Sequence, residues 1–389
     1  MKIIQINSFS FSKLLKNFEK EIYSNWYAQV AFQLKKYYPK LKIEAWTLEK
    51  NYKKEKRKNV KKIKFRIFPT NISIRHSMEI SLKMLKALKK EIKNSEKNNE
   101  KLIIHFHEYH TWQTYLILSL IKKHKNLKII GQHHGARSPF KNIIKYKRLF
   151  LFLPLIILMQ ASEYFLFRHI DFFYYQSKEE ENYLKKIVSK SKIRFQTIGI
   201  NNEYFRYVNK KYAKKKLNLD LNKKYILYLG RIKTTKGIKE LLDAFKEIKN
   251  KNIKLLLVGE GVDFKKYKKY SEEENIENIK FIGPKYGKEK ILYLSACDIF
   301  VLPSYTEGAS VAVMEAMAKN LQIITTNVGG LPKTLMNGKA GILINPYSQE
   351  EITHAINKIL KKDKKDIKKY AERFKWNKII KQTYHDYIK

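Results

Sequence analysis

Short apolar runs alternate along this chain with longer segments whose apolar positions recur at helical spacing. The start, Met1-Lys2-Ile3-Ile4-Gln5-Ile6-Asn7, alternates and predicts a first strand rather than the apolar centre of a secretory signal. Residues 102–106 (LIIHF), 127–131 (LKIIG), 171–176 (DFFYYQ) and 195–198 predict further strands, with a helix over 111–122. After the turn-like Gly199-Ile200-Asn201-Asn202 the pattern restarts. Residues 225–230 (YILYLG), 254–259 (KLLLVG), 279–283 (IKFIG), 299–303 (IFVLP) and 322–326 (QIITT) read as buried strands with helices between them. The first of these helices carries Ile238, Leu241, Leu242, Phe245 and Ile248 on one face. Such alternation predicts an α/β protein of parallel sheets covered by helices on both faces. Two halves meeting near residue 205 predict two doubly wound domains with a cleft between them, over residues 1–205 and 206–370. In such folds ligands lie outside the carboxyl ends of the strands.

Length and composition fit this picture. The 389 residues correspond to two or three domains at roughly 150 residues each. Hydrophobic residues make up 44%, enough for packed cores and against a disordered chain. One cysteine, Cys297, excludes an internal disulfide framework, fits a reducing compartment and reads as core. With Lys and Arg at 81 and Asp and Glu at 36, the net charge is +45. That invites a nucleic-acid or anionic-surface reading. The lysines are spread over the whole chain, though, and abundant Lys, Asn and Ile together match proteins of AT-rich genomes. The 26 tyrosines are scattered and no nucleic-acid motif accompanies them, so no nucleic-acid partner is expected. The densest basic run, from Lys53 to Lys64, reads as a solvated surface or as a patch for anionic lipid. The most apolar stretch, residues 149–159 (LFLFLPLIILM), is shorter than the roughly 20 residues of a spanning helix and contains Pro154. It reads as a buried helix, or as a patch dipping into a membrane interface beside Lys145, Lys147 and Arg148.

Candidate chemistry gathers in the second half. Gly230-Arg231-Ile232-Lys233-Thr234-Thr235-Lys236-Gly237 is a loop entering a helix, so Arg231 and Lys236 stand at a strand's carboxyl end near a helix start. Backbone N–H groups plus two cations suit a diphosphate. Each contact would supply about 4 kcal/mol at 4 Å and an effective dielectric of 20. Further on, Glu307 follows a strand, Gly308 permits close ligand approach, and Ser310 or a neighbour can start the helix that carries Glu315. Eight helical residues rise about 12 Å, too far for a glycosidase carboxylate pair. That spacing suits two ends of one elongated ligand: ribose hydroxyls at Glu315, sugar hydroxyls at Glu307, phosphate at the helix N-terminus between them.

Together, Glu307-x7-Glu315 with Arg231 and Lys236 upstream resembles the retaining glycosyltransferases of the GT-B fold, in the large family 4 group. The resemblance covers most of the C-terminal half: Gly230-Arg231, Lys236-Gly237, Val258-Gly259-Glu260-Gly261, Phe281-Ile282-Gly283, Val301-Leu302-Pro303-Ser304, Glu307-Gly308, Glu315-Ala316-Met317-Ala318 and Val328-Gly329-Gly330-Leu331-Pro332. It implies two Rossmann-like domains. It also implies a donor nucleotide-diphosphate sugar, UDP- or GDP-linked, as co-substrate with no further cofactor. Gly230, Arg231 and Lys236 would hold the diphosphate, Glu315 the ribose and Glu307 the sugar. The amides of Gly308, Ala309, Ser310 and Val311 would meet the phosphate, and the main chain near Lys285 the base. Residues 371–389, with Trp376, would form a final helix crossing back to the first domain. The acceptor would be a glycan or lipid-linked molecule in envelope polysaccharide or glycolipid synthesis, and the enzyme cytoplasmic, peripheral on the inner face of the membrane.

The N-terminal half resembles the family less closely. His105-Phe106-His107 and Gln132-His133-His134-Gly135 stand at strand ends, and similar enzymes place a histidine before Gly or Asp facing the reacting sugar; His134 matches it. A satisfied loop histidine is the plainer reading. A metal site from His105, His107, His110, His133 and His134 is a third. No Asp-x-Asp pair occurs, so a metal-held diphosphate has no visible ligands. Lys333 stands where the family has an acidic residue, Asn320 replaces a common glycine, and Ala309 and Ser310 replace bulkier or glycine-like residues. Ser8-Phe9-Ser10-Phe11-Ser12 stands where a glycine-rich loop is usual. A competing reading is a non-catalytic basic membrane-surface or nucleic-acid-binding protein on the same fold.

Overall fold

The apolar runs become the inner strands of two largely parallel sheets. The computed structural model describes residues 1–10, 22, 25–74, 77–134 and 153–389. These divide into two units: Met1–Ile198 with Asn377–Lys389, and Gly199–Trp376.

In the first unit the strands are β1 (Lys2–Ser10), β2 (Lys42–Glu49), β3 (Lys56–Val60), β4 (Ile63–Pro69), the short antiparallel pair β5 (Ile72–Ser73) and β6 (Glu79–Ile80), β7 (Leu102–His107), β8 (Leu127–Gln132), β9 (Phe172–Tyr175) and β10 (Ile193–Phe195). The main sheet runs β10-β9-β8-β7-β1-β2-β4-β3. Only β3 is antiparallel, on the outer edge beside β4. Ile4, Ile6, Ile104, Phe106 and Ile129 are buried in one core under the helices Leu82–Lys97 and Trp112–Leu120.

Strands β2 to β4 leave no apolar run in the sequence. In β2, Glu44 interrupts the pattern yet lies 8% exposed, because Lys2 Nζ (3.0 Å) and the Trp46 Nε1–H (2.8 Å) satisfy its carboxylate. The basic run from Lys53 forms the edge strand β3, with Lys56, Arg57 and Lys58 in solvent. Such edge charge discourages further strand pairing. The last strand of this unit spans Ile193–Phe195 instead of 195–198; it is a half-buried three-residue edge. Residues 149–152, Lys145, Lys147, Arg148, Gly135, Phe11 and Ser12 lie outside the described residues. The apolar stretch continues as a helix, Leu153–Leu166. There Ile157 and Leu158 are exposed, which corrects the buried-helix expectation for those two side chains. No helix among the described residues is long and apolar enough to cross a membrane.

The second unit has β11 (Lys224–Leu229), β12 (Ile253–Val258), β13 (Ile279–Gly283), β14 (Ile299–Leu302), β15 (Gln322–Thr326) and β16 (Ile342–Ile344). All are parallel, in the order β13-β12-β11-β14-β15-β16. Its core takes Ile226, Leu256, Val301 and Ile324, and Cys297 lies buried among them.

The domain boundaries fall at 198/199 and 376/377, displaced from the expected 205/206 and 370/371. Residues 199–205 belong to the second unit because they pack there. Ile200 N–H donates to the Phe374 carbonyl (2.8 Å), Gly199 lies flat against Trp376, and Tyr204 and Phe205 enter the core. The closing helix Trp376–Ile388 lies on the first unit, beyond its first residue. Its polar face is tied to the sheet: Tyr174 Oη donates to Asp386 Oδ2 (2.7 Å), Gln196 Nε2 donates to Thr383 Oγ1 (2.9 Å), and Arg194 pairs with Asp386.

Candidate functional site

Residues 230–237 leave β11 at its carboxyl end. Ile232 is buried and its N–H donates to the Glu260 carbonyl (2.9 Å). Asp263 accepts from the Thr234 N–H (2.7 Å) and hydroxyl (2.9 Å), which holds the short 3-10 turn Thr234–Lys236. Gly237 follows at φ +66°, and a Cβ there would lie 2.1 Å from the Pro303 carbonyl oxygen. Only glycine lets this loop pass so close to the end of β14 before the helix Ile238–Lys246 begins. The contact brings Lys236 to Glu307, with Nζ 2.5 Å from Oε1. Ser304 Oγ donates to the same oxygen (3.1 Å). Both charged side chains keep under a fifth of their exposure. Arg231 is exposed, and its guanidinium has no ion-pair partner among the described residues.

The loop after β14 is locked from the other side. Thr326 Oγ1 donates to the Ser304 carbonyl (2.6 Å). Gly329, at φ +57°, lies against Glu307 so closely that a Cβ would fall 1.6 Å from its carbonyl oxygen. Gly308 is half-buried and Ala309 and Ser310 are buried. Ser310 is the N-cap of the helix Val311–Ala318 but makes no side-chain cap. That helix start therefore has an N-terminus not occupied by its own cap side chain, suited to an anion.

Glu315 sits on that helix as expected, but its carboxylate is not open. It is 4% exposed and both oxygens approach Lys290 Nζ, at 2.8 and 2.6 Å. Tyr204 Oη is a further partner. Burial raises the Glu315 pKa, with Lys290 opposing. The same burial, with Glu315 beside it, raises that of Tyr204. Ribose recognition by Glu315 would thus compete with Lys290. Lys285 pairs with Glu289 in the first turn of the helix Gly287–Ala296. Lys290 and Tyr204 had no signal in the sequence: each is one Lys or Tyr among many, and only the fold brings it to a carboxylate.

Five histidines of the first unit, His105, His107, His110, His133 and His134, gather at the carboxyl ends of β7 and β8. His134 Nε2 lies 2.8 Å from His107 Nδ1, and Trp26 stacks on the His134 ring at 5.0 Å. His133 Nδ1 pairs with Glu108 Oε2 (2.5 Å), and His110 Nδ1 with Glu163 Oε1 (2.6 Å). Burial lowers the pKa of His134 to about 4 and of His105 to about 3, and holds His107 well below its ordinary value. Glu108 is lowered to about 2, because His133, His134 and a backbone N–H outweigh its burial. Among the described residues no group of three or more His, Cys, Asp or Glu is placed to hold a metal ion.

The fold has close counterparts among solved structures. Sucrose-phosphate synthase from Thermosynechococcus elongatus superposes with TM-score 0.70 at 20% identity, over 100% of this chain and 98% of that one. Anabaena HepE in complex with UDP gives 0.71 at 14% identity, over 99% of each chain. The lipopolysaccharide outer core galactosyltransferase WaaB gives 0.68 at 18%, over 100% and 99%. The chain thus has the GT-B fold of two Rossmann-like domains.

Residues 209–377 match the family model for glycosyl transferases group 1. Over 170 residues the chain is 32% identical to the capsular polysaccharide biosynthesis glycosyltransferase CapM of Staphylococcus aureus, covering 42% of this chain and 43% of CapM. It is 31% identical over 150 residues to the putative teichuronic acid biosynthesis glycosyltransferase TuaC of Bacillus subtilis, covering 38% and 36%. These matches span less than half the length of either relative. The similarity to glycosyl transferases group 1 thus lies in residues 209–377, within the second unit apart from its last residue.

Proposed function

We propose that the protein is a retaining glycosyltransferase of the family 4 type. It would move a sugar from a UDP- or GDP-linked donor to a hydroxyl of a glycan or lipid-linked acceptor in envelope polysaccharide or glycolipid synthesis. The observation that carries this reading is the Lys236–Glu307 pair beside the exposed Arg231, at the carboxyl ends of β11 and β14. A diphosphate arriving there draws Lys236 from Glu307, and Glu307 is released to accept from a sugar hydroxyl. The amides of residues 308–311 meet the phosphate, Lys290 yields part of its hold on Glu315 to the ribose, and the main chain near Lys285 meets the base.

As the glycosidic bond breaks, charge grows on the departing phosphate. Arg231, Lys236 and the helix N-terminus stabilise that charge more than they stabilise the ground state. The leaving phosphate then takes the acceptor proton in a front-face attack, with no side-chain nucleophile. The UDP bound in the HepE structure, and the likeness to the capsular polysaccharide glycosyltransferase CapM and the putative teichuronic acid glycosyltransferase TuaC, support the donor class and the polysaccharide context. His134 is assigned to the sugar by resemblance alone.

The exposed Ile157, Leu158, Tyr164 and Phe165 on one helix support a peripheral position on the inner face of the membrane. Co-sedimentation with anionic vesicles at low salt tests it. Incubation with a panel of nucleotide sugars tests the main reading. Release of UDP or GDP from one member, with the α or β configuration of the donor kept in the product, is expected. Turnover of none, or an inverted product, refutes it.

A further inference from the structure

A line of buried polar side chains crosses the first unit from His134 to the C-terminal helix. Gln5 on β1 is in register with His105 on β7, and His107 lies two residues further along the same face. Gln176 Nε2 lies 3.3 Å from His134 Nδ1, and His134 Nε2 lies 2.8 Å from His107 Nδ1. His107 Nε2 lies 2.7 Å from Gln5 Oε1, and Gln5 Nε2 lies 3.0 Å from Tyr387 Oη. Tyr387 Oη lies 2.6 Å from His105 Nδ1. Gln5, His105, His107, Gln176 and Tyr387 are all at most 1% exposed, so no solvent relaxes these bonds.

The bonds constrain one another. Gln5 Oε1 can only accept, so His107 carries its proton on Nε2. A neutral His107 then accepts at Nδ1, so His134 must donate from Nε2. A neutral His134 is left with a lone pair at Nδ1, which faces the Gln176 amide. At the far end the Gln5 amide donates to Tyr387, whose hydroxyl donates on to His105. Every donor points the same way along the line.

We propose that Tyr387 is a positioning residue that holds His134 as the Nε2–H tautomer, acting through Gln5 and His107. The inference rests on the reading of His134 as a site residue for its consequence in catalysis, but not for the geometry. In this tautomer the single His134 N–H is engaged by His107. A ligand therefore meets the ring only at Nδ1, in place of the Gln176 amide, and that lone pair suits the hydrogen of a sugar hydroxyl and not a phosphate oxygen. Without the Tyr387 oxygen the Gln5 N–H groups are orphaned in a dry site. Orphaned buried N–H groups are rarer than under-satisfied carbonyls. The amide therefore turns over, donates to His107 Nε2, and moves the His107 proton to Nδ1. His134 Nε2 becomes the acceptor, and its own proton moves to Nδ1.

The test is the tautomer of His134 in the full-length protein with ¹⁵N-labelled histidine, read from two-bond ¹H–¹⁵N NMR at pH 7.5 and assigned with His134→Asn. Wild type should show the Nε2–H form. Tyr387→Phe should show the Nδ1–H form or a mixture, and Gln5→Met, which breaks the same link from the other side, should do likewise. The Nδ1–H form in wild type overturns the proposal, whether or not either variant folds. So does an unchanged Nε2–H form in both variants. With an identified donor, Tyr387→Phe should lower kcat by roughly tenfold or more at unchanged donor KM. Wild-type turnover in His134→Asn would instead overturn the role of His134 in transfer and leave the tautomer result standing.

Discussion

Gly329→Ala displaces Glu307 without touching any charged group. A Cβ at residue 329 would lie 1.6 Å from the Glu307 carbonyl oxygen, where 3.0 Å is the practical floor, so the two loops must part by about 1.4 Å. The left-handed backbone, φ +57°, adds roughly 1–2 kcal/mol of strain for alanine. A misplacement of about 1 Å at a reacting centre costs on the order of 100-fold in rate. Gly338→Ala is the matched control. Its φ is +92°, but its Cβ would meet nothing nearer than the Gly341 carbonyl at 3.8 Å. The control should lower Tm by about 3 °C per kcal/mol of strain and leave turnover near wild type. Gly329→Ala should lower Tm further and reduce nucleotide-sugar turnover by roughly 100-fold. Equal behaviour of the two variants in both assays would refute the idea that close contact at residue 329 sets the position of Glu307.

Lys236→Met removes one charge-assisted contact from the proposed diphosphate site, worth about 1.5–3 kcal/mol, so the Kd for the nucleoside diphosphate should rise roughly 10- to 100-fold by calorimetry; an unchanged Kd removes Lys236 from the site. Glu315→Ala leaves Lys290 and the Tyr204 hydroxyl without their carboxylate in a largely buried place. It should cost about 3 kcal/mol in urea unfolding, and Glu315→Gln less; a cost near zero would mean that the pair does not support the fold. Acid should weaken the first unit. His134 and His105 are lowered to about 4 and 3, and His107 lies well below its ordinary value, so the unfolded chain binds more protons once pH falls below the ordinary histidine range. Their contribution is complete above pH 6.5 and is lost as pH falls toward 4 and 3, and that of Glu108, lowered to about 2, is lost below pH 4.5. Thermal unfolding should therefore show a falling Tm from pH 7 to 5, and a flat profile would contradict the burial of neutral histidines.

The parallel core was legible because buried strands leave bare apolar runs: 225–230, 254–259, 299–303 and 322–326 each lie within a residue or so of an observed strand. Strand β2 was not, because the carboxylate of Glu44 breaks its run and finds partners only in three dimensions. The candidate site divides in the same way. Gly237, Glu307 and Gly308 stand out by residue type and position after a strand. That Lys236 would be paired with Glu307, and Glu315 with Lys290, could not be read, since each partner comes from a loop or helix distant in sequence. The line from His134 to Tyr387 joins positions more than 250 residues apart, and nothing in local pattern announces it.

Calorimetric titration of UDP and GDP into the wild-type protein and Arg231→Ala bears most directly on whether a sugar nucleotide binds at the strand ends of the second unit. Saturable one-to-one binding of one nucleotide, weakened at least roughly tenfold by loss of the exposed guanidinium, is the predicted result. Absence of binding by either nucleotide, or equal affinity in the two proteins, would contradict it.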